Sequence, residues 1–162
     1  MGEDQERANR KLLTLRERKD AVLEALTALK ISKRTDFGDF ISYAFGSETM
    51  TIRTRINFNE PDLVVAYSYP EFFIPEFNRS KALEYLNRRN YRSKFGCLEI
   101  EMETGEVRYR TSVRHGTCGV ESLKSIMTQL LMLHKSYFAR VIYPKLLPLR
   151  EKDGTVPMDE DD

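Results

Sequence analysis

Between Met50 and Phe58 the chain alternates: Met50, Ile52, Thr54, Ile56 and Phe58 share one parity, and Thr51, Arg53, Arg55 and Asn57 take the other. Side chains along a strand point alternately to opposite faces, so this stretch predicts a strand with one buried and one wet face. "DFISYAF" (Asp39–Phe45) precedes it across Gly46-Ser47-Glu48, which reads as a hairpin loop. "LVVAYSY" (Leu63–Tyr69) follows the turn Asn59-Glu60-Pro61-Asp62 as a third strand. A second hairpin is predicted in "EIEMETGEVRYR" (Glu99–Arg110), turning at Thr104-Gly105. With the turn centred there, Met102 faces Val107, Ile100 faces Tyr109 and Leu98 faces Thr111 on an apolar side. On the other side Glu101 faces Arg108 and Glu99 faces Arg110. A slip of one residue would set Ile100 against Arg108 and destroy the apolar face.

Elsewhere the period is helical. From about Glu3 to Lys30 there is no proline and no internal glycine, and Leu12, Leu15, Val22, Leu26 and Leu29 follow a three-four spacing that Lys19 interrupts. The stripe is shorter than the three to four clean heptads of a coiled coil, so a helix laid against a sheet is the simpler reading. "PEFFIPEFN" (Pro70–Asn78) is an apolar connection kept irregular by its prolines. Asn78 then serves as the expected N-cap of a helix to about Asn90, with Ala82, Leu83 and Leu86 inside. A last helix runs from about Val120 to Tyr143, and Pro144 and Pro148 close it. The order is α-β-β-β-α-β-β-α. It predicts an α+β protein, a mainly antiparallel five-stranded sheet with helices on one face. Residues 1–150 read as a single α+β domain and residues 151–162 as a disordered acidic tail.

Composition narrows the class without naming a task. The 162 residues carry 26 basic and 25 acidic side chains, a net charge of +1, so no global field draws the chain to DNA or to a membrane. No apolar run approaches the ~20 residues that span a bilayer. Met1-Gly2 is followed by Glu6 where a myristoylation motif needs Ser or Thr. A cytoplasmic protein without a membrane partner is expected. Cys97 and Cys118 form no CxxC pair and are read as thiols.

Glu99 and Glu101 have the spacing of a carboxylate couple. Arginines opposite them would lower their pKa values, the wrong direction for a general acid. His115 and Cys118 supply two metal ligands where a structural zinc needs four. His134, between Leu130 and Phe138 at four-residue spacing, looks like packing. Phosphate-binding glycine loops, HExxH and GxSxG are absent from the sequence. No catalytic, cofactor-binding or metal-binding residue is therefore assigned. What remains is arginine: Arg53 and Arg55 on one wet strand face, Arg108, Arg110 and Arg114 on another, and Arg88, Arg89, Arg92 and Lys94 around Tyr91. If these rows share a side of the sheet, they form a surface for phosphate or an acidic peptide. Against nucleic acid, Glu99, Glu101, Glu103 and Glu106 dilute one row, and the alternation reveals no aromatic platform.

"ALEYLNRRNYRSKFGCLEIEMETGEVRYRTSV" (Ala82–Val113) resembles the YbjN family, described as bacterial sensory transduction regulators. The resemblance lies in Leu86-Asn87, Gly96, the turn Gly105-Glu106-Val107, the strand arginines Arg108 and Arg110, and a closing "YFARVIYPKL" (Tyr137–Leu146). It implies a fold similar to type III secretion chaperones and a non-enzymatic protein-binding module, chaperone-like or regulatory, that holds a protein or peptide client and forms a homodimer. It supplies no active site. The partner-binding candidates are Arg53, Arg55, Arg108, Arg110, Arg88 and Arg89. The alternative is a nucleic-acid-binding protein that uses the arginine face and the Arg88–Lys94 segment. A second alternative is an enzyme with an unrecognised site.

Overall fold

A computed structural model describes residues 11–156. Helix α1 (Leu15–Ala28) leads into strands β1 (Arg34–Asp36), β2 (Phe40–Ser47), β3 (Met50–Glu60) and β4 (Leu63–Pro70). A 3-10 turn (Glu76–Asn78), helix α2 (Arg79–Arg92) and strands β5 (Cys97–Ile100) and β6 (Val107–Arg114) follow. Helix α3 (Val120–Leu133) continues as a π-helical stretch (His134–Ile142), a single turn α4 (Tyr143–Leu146) and a 3-10 turn (Leu147–Arg150). All strand pairs are antiparallel, in the order β1-β2-β3-β4-β6-β5. The expected antiparallel α+β architecture stands, but among the described residues the sheet has six strands rather than five. The extra one, β1, is the polar triplet Arg34-Thr35-Asp36, too short to show an alternation.

Helix α1 starts at Leu15, where Thr14 and Glu17 form a reciprocal capping box. Of the expected longer helix, residues 3–10 lie outside the described residues. The buried stripe is Arg18, Ala21, Val22, Ala25 and Leu26, while Leu12 and Leu15 are exposed. Lys19, the interruption in the pattern, bonds Asp36 at 2.8 Å and so ties α1 to β1. Asn78 sits at the start of α2 without capping it. Its Nδ2 instead donates to Leu149 O at 2.8 Å and Glu151 O at 2.7 Å, an orientation that leaves the Oδ1, the atom that would cap the helix, without a partner. Of the segment read as an acidic tail, Gly154 accepts a bond from Lys81 and Val156 packs against the core; residues 157–162 lie outside the described residues.

The helices bury two adjoining cores against one face of the sheet. Leu26 of α1 and Leu123, Met127 and Leu131 of α3 pack on Ile41, Ile56 and Val64. Tyr85 and Leu86 of α2 and Phe138, Ile142 and Leu146 of the C-terminal helical run pack on Leu98, Val107 and Tyr109. Polar groups join the strands beneath them. Thr54 Oγ1 and Ser68 Oγ share a hydrogen bond of 2.6 Å, Ser68 Oγ lies 2.7 Å from His134 Nδ1, and Thr111 Oγ1 lies 2.8 Å from His134 Nε2. All are buried, and burial lowers the imidazole pKa from 6.5 to about 3.

The second hairpin closes two residues away from the expected register. Leu98 pairs with Tyr109, Glu99 with Arg108 and Ile100 with Val107. A shift of two keeps each side chain on its own face, so the apolar and polar sides stand while the partners change. The cause is a longer loop. Glu101 N–H donates to Glu106 O, and Gly105, at φ +80, donates back to Glu101 O. A Cβ on Gly105 would stand 2.0 Å from Ile74 O, so the loop packs tightly on the Pro70–Asn78 connection. The guanidinium of Arg79 fixes this corner, donating to Ile74 O, Met102 O, Glu103 O and Thr104 O at 2.8–3.1 Å.

Strand β5 is an edge of the sheet, and its outward backbone is met by a side chain. Asn90 Nδ2 donates to Leu98 O at 2.7 Å and its Oδ1 accepts from Leu98 N at 2.8 Å, imitating a neighbouring strand.

Two outcomes follow from these contacts. The folded His134 pKa lies below the unfolded one, so this contribution to stability is complete above pH 6.5 and is lost as pH falls toward 3. The loss is about 1.4 kcal/mol for each pH unit below that point. Urea unfolding between pH 6.5 and 5 isolates it, because Asp36 and Asp62, whose carboxylates are held below their ordinary value of 3.8, titrate lower still. His134→Gln is expected to flatten that slope. Asn90→Ala removes both edge bonds, and a loss of about 1–3 kcal/mol in urea unfolding is expected.

Candidate binding face of the sheet

Among the described residues every helix lies on one side of the sheet, and none of their elements covers the other. Register places its residues in rows. Arg55 stands opposite Ser42 on β2 and Tyr67 on β4, Tyr67 stands opposite Arg110 on β6, and Arg110 opposite Cys97 on β5. In the next row Arg53 faces Tyr69, which is hydrogen-bonded to Arg108, and Arg108 faces Glu99. Arg53, Arg55, Arg108 and Arg110 therefore share one open face. Arg114 lies on it too, but Asp62 grips it at 2.6 Å.

Aromatic rings separate the charges. The Arg55 guanidinium lies 3.7 Å from the centre of the Phe40 ring and donates to Asn57 Oδ1 at 2.8 Å. Phe40 stacks on Phe37 with centroids 4.6 Å apart. Arg108 lies 4.7 Å over Tyr67, and Tyr67 and Tyr69 adjoin at 6.3 Å. A shallow depression of about 650 Å³ opens here between Phe37, Phe40, Arg53, Arg55, Tyr69 and Phe73. Phe37 and Phe73 are 56% and 59% exposed, apolar surface left to water at its rim.

The acids on this face have set places: Glu71 and Glu106 line the depression, and Asp62 holds Arg114. Glu99 bridges two cations, accepting from Arg108 Nε through Oε2 and from Arg110 Nε through Oε1 at 3.0 Å. Burial alone would lower the Arg108 pKa, but Glu99 and Tyr69 hold it above its ordinary value. Burial raises the Tyr69 phenol, and Arg108 opposes part of that rise. Arg53 reaches Glu71 only at 3.8 Å, a solvated pair of small energetic weight. Glu99 is thus a buttress that orients two arginines.

Arg88 and Arg89 are elsewhere. Helix α2 packs on the opposite, buried side, where Arg88 pairs with Glu84 and Arg89 lies 5.5 Å over Tyr85. Arg89 lines a separate hollow of about 250 Å³ with Arg92, Lys94, Phe95 and Tyr137. The sequence-based candidate set therefore divides into four arginines on one face and two on the far layer.

Tyr67, Tyr69 and Phe40 are the residues that sequence reasoning missed. The signal was present as parity in "LVVAYSY", where Val64, Ala66 and Ser68 are buried and the tyrosines face out. Ser68 and His134 have the separation of a nucleophile and its base. Both are fully buried and Ser68 is already bonded to Thr54, so no substrate reaches them. Among the described residues no group of three or more His, Cys, Asp or Glu is placed to hold a metal ion, and no helix is long and apolar enough to cross a membrane.

No family model and no curated protein matches the chain. The YbjN resemblance therefore stays a resemblance. A solved structure, that of the HopA1-SchA chaperone-effector complex, is similar to it at 14% identity and a TM-score of 0.41. The match covers 77% of this chain and 97% of that one. At that score the likeness carries no argument.

Glu99→Gln tests the buttress. Arg108 and Arg110 would lose their shared counter-charge, with a stability loss of about 1 kcal/mol or less for so partly exposed a pair. The expected readout is a small drop in urea midpoint together with stronger retention on an anionic (cation-exchange) resin. An unchanged elution salt would show that Glu99 does not mask the two cations.

Proposed function

We propose that the protein is a non-enzymatic protein-binding module, chaperone-like or regulatory, and that its open sheet face holds an extended acidic segment of a client. The observation that carries this is the interleaving of Arg53, Arg55, Arg108 and Arg110 with Tyr67, Tyr69 and Phe40 on an uncovered face. Guanidinium forks match carboxylates in two-point geometry. Tyrosine adds rigid, amphipathic contact area with little side-chain entropy to lose. Protein interfaces are enriched in these same residue types. Glu99 supports the arrangement by holding two of the forks in place before a partner arrives.

A homodimer belongs to the same proposal. Leu83 and Tyr91 are exposed on α2, with Phe95 just beyond it, away from the arginine face. A dimer through this row would leave both sheet faces free for clients. Light scattering across a concentration series is expected to give twice the chain mass, and Leu83→Glu with Tyr91→Glu to give the single mass.

One observation favours a second reading, single-stranded nucleic acid. Tyr67 and Tyr69 supply beside the arginines the stacking surface that the sequence did not reveal. The two readings separate in one titration. A labelled glutamate- and tyrosine-rich peptide is expected to bind, a lysine-rich peptide not to bind, and Arg55→Ala or Tyr69→Ala to weaken the acidic peptide by about tenfold, the size of a central interface truncation. Oligo-uridine binding more tightly, with affinity falling steeply as salt rises, would replace the client reading by the nucleic-acid one. Neither ligand binding would remove the face as a site.

A further inference from the structure

We propose a second, separate site: the hollow at the end of the β2–β3 hairpin binds a phosphate-bearing organic small molecule of nucleotide size. The hollow measures about 440 Å³, within the roughly 300–1,000 Å³ of small-molecule sites. It is bounded by the segment after α1, the hairpin end and the π-helical stretch. Those three parts of the chain bring Lys30, Lys33, Lys135 and Arg140 around one concavity, and among the described residues its lining contains no carboxylate. Lys135 donates to Leu29 O at 3.3 Å, and no acidic side chain bridges the four cations in the lining. Like charges facing one another across a concavity repel, and an anion bound among them removes that repulsion. Phe45 and Met50 add an apolar wall, which a bare phosphate leaves unused and an organic group covers.

A second feature, independent of the charge, points to the same place. Helix α1 ends in a Schellman motif, with Lys30 N–H donating to Thr27 O at 3.0 Å and Ile31 N–H to Leu26 O at 2.9 Å. That motif places one residue in the left-handed region, a position glycine fills most easily. Here the residue is Lys30, at φ +60, the one non-glycine with positive φ among the described residues. The backbone strain is borne by a residue that lines the hollow. Strained residues of this kind gather at ligand sites. The hollow is remote in kind from the open arginine face: it is concave, its described lining holds no acid, and its cations come from the segment after α1 and from the π-helical stretch.

The test uses the full chain with ADP, inorganic pyrophosphate and adenosine as probes, followed by calorimetry and thermal unfolding. Saturable ADP binding is expected, with a raised melting temperature. Pyrophosphate should bind at least about fivefold more weakly, since it leaves the apolar wall uncovered, and adenosine should not bind. Lys33→Ala with Arg140→Ala should weaken ADP by about tenfold or more, the loss of two charge-assisted bonds. The same double variant should leave acidic-peptide binding unchanged. Lys30→Gly separates ligand binding from folding, because it relieves the backbone while removing a cation: melting unchanged or higher, ADP weaker by about threefold. Absence of ADP binding at low salt overturns the proposal. So does wild-type ADP affinity in the double variant, pyrophosphate binding as tightly as ADP, or competition between ADP and the acidic peptide.

Discussion

The imidazole of His134 is the point on which the two halves of the structure depend. One ring nitrogen meets Ser68 on β4 and the other meets Thr111 on β6, while Ser68 also meets Thr54 on β3. Three adjacent strands are thereby tied to the junction between α3 and its π-helical continuation. Tyr109 lies against the same ring, with centroids 4.8 Å apart. A neutral imidazole has one donor and one acceptor, so both nitrogens are satisfied only with the helical run at one height above the sheet. Apolar packing alone tolerates sliding. A fully satisfied polar network does not, because any displacement leaves buried groups unpaired.

That fixed height is what makes the far face available. Since α1, α2 and α3 all pack on the side of Ile41, Ile56 and Leu98, the parity of each strand commits the other side to solvent. Arginines on β3 and β6 then approach because β4 alone lies between them, although they are more than fifty residues apart in the chain. The tyrosines of β4 fill the space between them. Charge and ring alternate across the strands as well as along them, and Glu99 at the edge steadies the far pair.

Much of this was legible in the sequence, and the failures have causes. Strands β2, β3, β4 and β6 announce themselves because alternation is a local property. Parity also placed the glutamates and arginines of the second hairpin on the polar side. Their partners were displaced because Gly105 closes a longer loop against Ile74, a contact with a segment some thirty residues away. Strand β4 was expected, but which of its faces is buried was not assigned. Both of its faces are largely apolar, and the buried one contains Ser68, whose partner His134 lies in the last helical run. Asn78 had the right identity for a cap, yet its amide is oriented by donating to the Leu149 and Glu151 carbonyls, which turns Oδ1 away from the helix N–H groups. The hollow beside Lys30 is drawn from three segments, and no local pattern could have assembled it.

Arg79 has a consequence for the order in which the chain assembles. It is the first residue of α2, and its guanidinium holds the carbonyls of Met102, Glu103 and Thr104 as well as that of Ile74. A β-hairpin usually closes within microseconds from contacts near its own turn. Here the turn carbonyls are held by the first residue of α2, more than twenty residues before the turn in the chain. The native turn is therefore complete only with α2 in place, and its carbonyls report on the docking of the helix rather than on the hairpin alone.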